Sequence, residues 1–232
     1  MKIALLGDIH GNHLALQAVL DAARQHKAER LLVTGDLVGY YFWPREVLEL
    51  LAGWEASVVS GNHEVMLGEA RRNDEFGVQV EGRYGCGVRL ALEQLDPGQV
   101  DGLCALPHTV DLAVDGCRIL LCHGSPWDVN QYVYPDAPPE LLKRCAIREY
   151  DLVVSGHTHY PMSLKIGPTA LVNPGSVGQP RNRQPGAHWA IFDTESREAT
   201  LLREAYDAGP VVAQSRRRHP DITYLSEVLE RT

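Results

Sequence analysis

The chain has 232 residues, 44% hydrophobic and 22% charged, with a formal net charge of −8. A chain of this length buries about 70% of its extended surface and can build its own core. The acidic balance excludes the broad basic face that a long nucleic-acid polymer needs, and no apolar run approaches the roughly 20 residues that cross a bilayer.

Lys2 to Leu6 reads as a short apolar strand that ends at Gly7. No signal peptide precedes it, so the expected location is cytoplasmic. A helix follows, with Leu16, Val19, Leu20 and Ala23 at i, i+3, i+4 and i+7. Arg30 to Thr34 forms a second strand ending at Gly35-Asp36. Pro44 opens a second helix, with Val47, Leu48 and Leu51 on one face. Ala56 to Ser60 is a third strand, ending at Gly61-Asn62-His63. This alternation implies parallel strands covered by helices, with ligands at their carboxyl ends.

Tyr84 to Leu95 is expected to be helical, and Gly98 to Pro107 a connection. Thr109 to Val114 and Arg118 to Cys122 fit a hairpin turned at Asp115-Gly116. Pro126 to Pro139 is a long polar and aromatic loop, followed by a helix over Glu140 to Arg148 and a strand over Asp151 to Ser155. Short strands follow at Ser163 to Ile166, Thr169 to Asn173, His188 to Phe192 and Ala199 to Arg203. Such a tail does not belong to a pure doubly wound fold; two stacked sheets with helices outside explain it better. Ile222, Leu225, Val228 and Leu229 mark a docking helix. The five cysteines make no CxxC pair and read as free buried thiols, Cys122 pointing to the opposite face from His123.

Five strand ends carry polar sets beside glycine: Asp8-Ile9-His10, Gly35-Asp36, Gly61-Asn62-His63-Glu64, His123-Gly124 and Gly156-His157-Thr158-His159. Taken singly, each has an ordinary structural explanation, such as a cap, a turn or a satisfied core histidine. Together they place carboxylate, amide and imidazole groups at one edge of successive strands, which points to a metal site. The set lacks thiolate, which suits Mn, Fe, Zn, Co or Ni, and its imidazoles argue against Mg or Ca. No P-loop, dinucleotide fingerprint or serine-hydrolase elbow appears.

These blocks, in this order over roughly residues 3 to 193, resemble the calcineurin-like metallophosphoesterase superfamily. The segment Asn173-Pro174-Gly175-Ser176-Val177-Gly178-Gln179-Pro180-Arg181 resembles its small bacterial and archaeal phosphodiesterase branch. The resemblance implies an α/β fold, a four-layer αββα sandwich of two mixed β-sheets. Residues 1–232 would form one domain, with 205–232 packing as a helical extension.

It also implies two divalent transition-metal ions per chain, Mn first and Fe, Zn, Co or Ni as alternatives. Asp8, His10, Asp36 and His159 would hold one; Asp36, Asn62, His123 and His157 would hold the other. Asp36 and a hydroxide would bridge them, and the hydroxide would attack phosphorus. Two such ions against two carboxylates and the hydroxide leave the site near one net positive charge, so an acidic chain still attracts phosphate. His63 would face the substrate, protonating the leaving oxygen or steadying the equatorial oxygens.

Asn12 is a candidate substrate contact or the cap of the first helix, and Arg181 a candidate phosphate ligand or a surface ion pair. Tyr40, Tyr41, Phe42 and Trp43 either wall the pocket or pack beneath a loop. Trp127, Asn130, Tyr132 and Tyr134 are candidates for recognising a base, sugar or aromatic leaving group. Arg216-Arg217-Arg218 reads as solvated surface. The expected activity is hydrolysis of small phosphodiesters. The alternatives are a phosphomonoester or phosphoprotein phosphatase, a dinucleoside polyphosphate hydrolase, and a non-catalytic scaffold. The expected partner is a small phosphorylated substrate, with no membrane; the sequence does not select an oligomeric state.

Overall fold

The computed structural model describes residues 1–232. Ten strands form two sheets of five. The first sheet has the order β10-β9-β1-β2-β3, built from β1 (Lys2–Leu6), β2 (Arg30–Val33), β3 (Ala56–Val58), β9 (Ala187–Asp193) and β10 (Glu198–Glu204). The second has the order β4-β5-β6-β8-β7, from β4 (Thr109–Val114), β5 (Cys117–Cys122), β6 (Leu152–Val154), β7 (Met162–Ile166) and β8 (Thr169–Asn173). In the first sheet β1, β2 and β3 are parallel, while β9 runs antiparallel to both its neighbours, β1 and β10. In the second, β5, β6 and β8 are parallel between antiparallel edges β4 and β7.

The two-residue period of a strand decides the layering. Ile3 and Leu5 of β1 face inward and meet Ile119, Leu121, Leu152 and Val154 of the second sheet. Ala4 and Leu6 face outward and are covered by Leu16, Val19 and Leu20 of α1 (His13–Gln25), joined by α2 (Pro44–Leu51). On the far side, Leu120, Val153 and Leu171 are covered by α7 (Pro139–Cys145) and Val133. Helix, sheet, sheet and helix make the four-layer αββα sandwich of two mixed sheets. The tail strands divide between the layers: β7 and β8 complete the second sheet, and β9 and β10 the first.

Residues 62–104 differ most from the sequence expectation. They hold α3 (Asn62–Ala70), α4 (Asp74–Tyr84), α5 (Gly87–Gln94) and α6 (Pro97–Cys104). The helix expected from Tyr84 is interrupted at Gly85, whose φ of +83° no α-helix accommodates, so Tyr84 ends α4 instead. The expected connection after Gly98 is α6, started by Pro97 and by reciprocal bonds between Asp96 and Gln99.

Two helices close the chain, α8 (Gly209–Arg218) and α9 (Tyr224–Glu230). Their Val211, Leu225, Val228 and Leu229 cover Tyr41 and Phe42. Four cysteines are buried free thiols, but Cys104, at the end of α6, is exposed. Cys122 is core, its Sγ 3.4 Å from the Val154 carbonyl. Arg216 pairs with Glu230 across α8 and α9, and Arg218 lies over Phe42.

Candidate metal centre

The carboxyl ends of β1, β2 and β3 meet those of β5 and β6 at one edge of the sandwich. All five polar blocks converge there. Asp8, His10, Asp36 and His159 offer ligand atoms within 4.8 Å of one another, and so do Asp36, His123 and His157. Asn62 joins the second set through Oδ1, 3.0 Å from His123 Nε2. Asp36 belongs to both sets, its Oδ2 lying 3.6 Å from His10 Nε2 and 3.5 Å from His123 Nε2.

The backbone is bent to bring these side chains inward. Asp8, His10, Asp36, Tyr40, His157 and His159 all have φ between +51° and +67°. Non-glycine residues occupy this left-handed region at a cost of about 1–3 kcal/mol each, and such strain gathers at functional sites. Hydrogen bonds hold the bent segments. Both carboxylate oxygens of Glu64 accept backbone N–H groups: Oε2 from Asp36 and Gly61, Oε1 from Leu37, each at 2.8 Å. Ser176 Oγ donates to the Asp8 carbonyl at 2.7 Å, and Asn173 Nδ2 to that of Gly156 at 2.8 Å.

The imidazoles are oriented from behind. Nδ1 of His10, His123 and His159 sits 3.1, 2.7 and 2.6 Å from the carbonyls of Val38, Thr34 and Gln179. A carbonyl only accepts, so Nδ1 carries the proton and Nε2 presents a bare lone pair. Nε2 of His10 and His159 then face each other at 3.1 Å with no proton between them. Nε2 of His123, equally bare, lies 3.1 Å from Nδ1 of His157 and 3.0 Å from Oδ1 of Asn62. Opposed lone pairs repel unless a cation lies between them. Two nitrogens about 2.1 Å from a shared ion, at an angle of about 95°, are separated by this distance. The donor set therefore fits divalent cations.

Burial sets the electrostatics of the metal-free cluster. It pushes Asp36 up to about 7 and Asp8 well above the usual carboxylate range, the latter also because Asp36 is close. It pushes His123 down to about 4 and His157 to about 3, and holds His10 and His159 well below the usual value. Without a cation, the cluster sheds charge by protonating its carboxyls and keeping its imidazoles neutral.

The remaining candidates part company. His63 opens into the same cavity, its Nδ1 without a hydrogen-bond partner and its pKa pushed down to about 3 by burial. Arg181 lines that cavity, with Nη2 donating to Tyr40 Oη at 3.0 Å and to Gln179 Oε1 at 3.1 Å, and Nε unpartnered. Asn12 is fully buried and caps α1 through Ala15 N–H; its Nδ2 donates to Gly178 O and Tyr206 Oη. Those bonds engage both polar atoms of the Asn12 side chain in holding the start of α1 and the segment at Gly178. Tyr40 lines the cavity, whereas Tyr41 and Phe42 pack under α8 and α9, and Trp43 meets His13. Tyr132 also lines the cavity, but Trp127 lies under the Arg144 guanidinium.

Three residues of the site had no role in the sequence reading: Glu64, Gln179 and Tyr84. Glu64 had a local signal, three residues after the glycine that starts α3. Tyr84 had none, since it reaches the cavity from the far end of α4.

Residues 1–197 match the calcineurin-like phosphoesterase superfamily domain. The chain belongs to this superfamily. A protein of Methanocaldococcus jannaschii with no assigned function is 28% identical over 223 residues, 88% of each chain. The phosphodiesterase YfcE of Escherichia coli K12 is 27% identical over 208 residues, 88% of this chain and 94% of its own. The crystal structure of a metallophosphoesterase from Sphaerobacter thermophilus superposes with a TM-score of 0.80 at 27% identity, covering 100% of this chain and 98% of that one. Within the calcineurin-like superfamily this chain is thus related to small bacterial and archaeal phosphodiesterases. No helix is long and apolar enough to cross a membrane.

Proposed function

We propose that this chain hydrolyses phosphate esters, small phosphodiesters before others, at a pair of divalent metal ions, Mn first. Asp8, His10, Asp36 and His159 hold one ion; Asp36, Asn62, His123 and His157 hold the other. The observation that carries the reading is the facing, proton-free contact of His10 and His159 beside an Asp36 carboxylate that two ligand sets share. When bound, such a pair of ions supplies Lewis acidity toward phosphoryl oxygens and brings the attacking water's pKa near neutral.

The chain's own groups complete the work. Arg181, held in place by Tyr40 and Gln179, offers its guanidinium to a phosphoryl oxygen. His63 is neutral in its buried setting, so it acts as a hydrogen-bond donor to an ester oxygen as charge develops there. That setting favours steadying an oxygen over delivering a proton from an imidazolium. The backbone N–H of His63 donates to Asp36 Oδ1 at 2.8 Å, which fixes His63 and the shared carboxylate together. The name of the Escherichia coli relative, a phosphodiesterase, supports the ester class. The net charge of −8 favours a small substrate over a long nucleic acid. We read residues 1–232 as one domain with 205–232 as its helical extension, working in the cytoplasm.

The test is metal quantification on protein reconstituted with Mn, followed by assay against matched cyclic diester, linear diester, monoester and phosphopeptide substrates. Two equivalents of metal and the highest kcat/KM on a diester are expected. Failure to retain metal, or a clear monoester preference, would overturn the respective half of the proposal.

A further inference from the structure

The loop after β5 is built rigidly beside the site. Gly124 follows His123, and a Cβ there would meet Asp128 O at 2.7 Å and Val129 O at 2.6 Å. Ser125 N donates to Asp128 O at 2.9 Å, and Ser125 Oγ accepts from Asp128 N at 3.0 Å. Val133 is buried against the outer face of the second sheet. Its neighbours Tyr132 and Tyr134 point the other way and stand 46% and 36% exposed.

These are the only aromatic side chains among the large apolar groups left exposed; Tyr132 lines the cavity and Tyr134 stands behind it. Their rings are nearly parallel, 5° apart in plane with centroids at 5.8 Å. Tyr132 rests on the His157 ring at 4.2 Å, and Tyr134 is braced by the Tyr160 ring at 5.5 Å. Tyr40 and Tyr84 form the facing wall, with Arg181 between. Tyr132, stacked on Tyr134 and half-exposed at the cavity, is a stacking surface one imidazole ring from the ligand cluster.

We infer that Tyr132, braced by Tyr134, forms a specificity surface that selects phosphoesters whose retained group, the one left on phosphorus, carries a planar ring, aryl or nucleobase. The inference rests on the phosphoesterase reading of the same site and narrows its substrate class. The phosphoryl group sits at the ligand cluster and Arg181, while the ring lies against Tyr132, which Tyr134 braces.

Two esters with one leaving group test it: thymidine 5′-(p-nitrophenyl phosphate) and methyl p-nitrophenyl phosphate. Intrinsic reactivity is then shared and only the retained group differs. The wild-type protein, loaded with Mn, is expected to favour the thymidine ester in kcat/KM. Tyr132→Ala and Tyr134→Ala are each expected to lower the ratio of the two kcat/KM values by roughly 5- to 100-fold, the range that loss of one stacked ring gives. Tyr132→Phe is expected to restore the ratio, since the ring stacks and the hydroxyl does not. A wild-type ratio near one, or a ratio unmoved in both alanine variants, overturns the inference.

Calorimetric binding of phenyl phosphate and methyl phosphate to the Mn-loaded protein separates this failure from that of the wider reading. A preference for phenyl phosphate that Tyr132→Ala removes, in a protein that turns over neither ester, upholds the stacking surface and refutes the hydrolase. Turnover of both esters without a ring preference upholds the hydrolase and refutes the surface.

Discussion

Replacing Asp36 by Asn keeps the side chain's shape and removes the one charge that both ligand sets share. Two effects of opposite sign follow. Burial raises the Asp36 pKa from 3.8 to about 7 in the metal-free fold. A carboxyl raised in this way contributes its full stability below pH 3.8, and the contribution is lost as pH rises through 7. At pH 8 the ionised carboxylate therefore costs the metal-free protein about 4 kcal/mol at most, and Asn, which does not titrate, relieves that cost. With an unfolding entropy of about 2.1 cal/mol/K per residue, this corresponds to a rise of up to about 8 °C in Tm for the 232-residue chain. Metal acts in the other direction: each ion at a thousand times its Kd adds about 4 kcal/mol to the wild type, about another 8 °C per ion. Differential scanning calorimetry at pH 8, first in chelator and then with Mn, reads both effects. The expected pattern is a metal-free variant that melts no lower than the metal-free wild type and does not respond to Mn. A metal-free variant that melts clearly lower, or one that Mn stabilises as much as the wild type, refutes the reasoning.

His63→Ala is expected to keep its metal, by elemental analysis, while kcat falls about 10²- to 10³-fold, the cost of losing one oxygen-steadying donor; loss of metal would make His63 a ligand instead. Gly39→Ala should resemble it, because Gly39 has a φ of +90° and a Cβ there would meet His63 Nδ1 at 2.0 Å; unchanged turnover would show that the ring does not need its observed position. Metal loading at pH 6 should release protons, since Asp36 and Asp8 have raised pKa values and keep theirs in the metal-free site, while the lowered imidazoles have none to give. The release should shrink above pH 8 as Asp36 ionises beforehand. Binding heats at pH 6 that are identical in buffers of different ionisation enthalpy would contradict this.

Chemistry was legible wherever it sits directly after a strand. Apolar runs end at glycine, so the neighbouring Asp8, His10, Asp36, His123, His157 and His159 announced themselves as a set. Helices α1 and α2 were equally plain, because each buries one apolar face on a sheet and so has to repeat it every turn. Helix α3 was hidden for the opposite reason: its buried side includes Asn62, His63 and Glu64, so its period is written in polar letters. In α4 only Val80 is buried, which leaves no stripe to read. The start of α6 did carry a signal, Asp96-Pro97 with Gln99, which the glycine and proline content of that stretch masked.

Local sequence by itself determined the strand ends, the donor types and the order of the blocks, because a strand's end and its turn chemistry depend on a few neighbouring residues. Tertiary structure alone decided the rest. The Asn12 amide is engaged because Gly178 and Tyr206, far along the chain, come within its reach. Tyr84 became a wall of the cavity because α4 runs back toward it. The lone pairs of His10 and His159 came to oppose each other because carbonyls from two distant loops claim their other nitrogens. Each of these contacts depends on the distance between segments remote in the chain, which the order of residues does not carry and the packing of two sheets does.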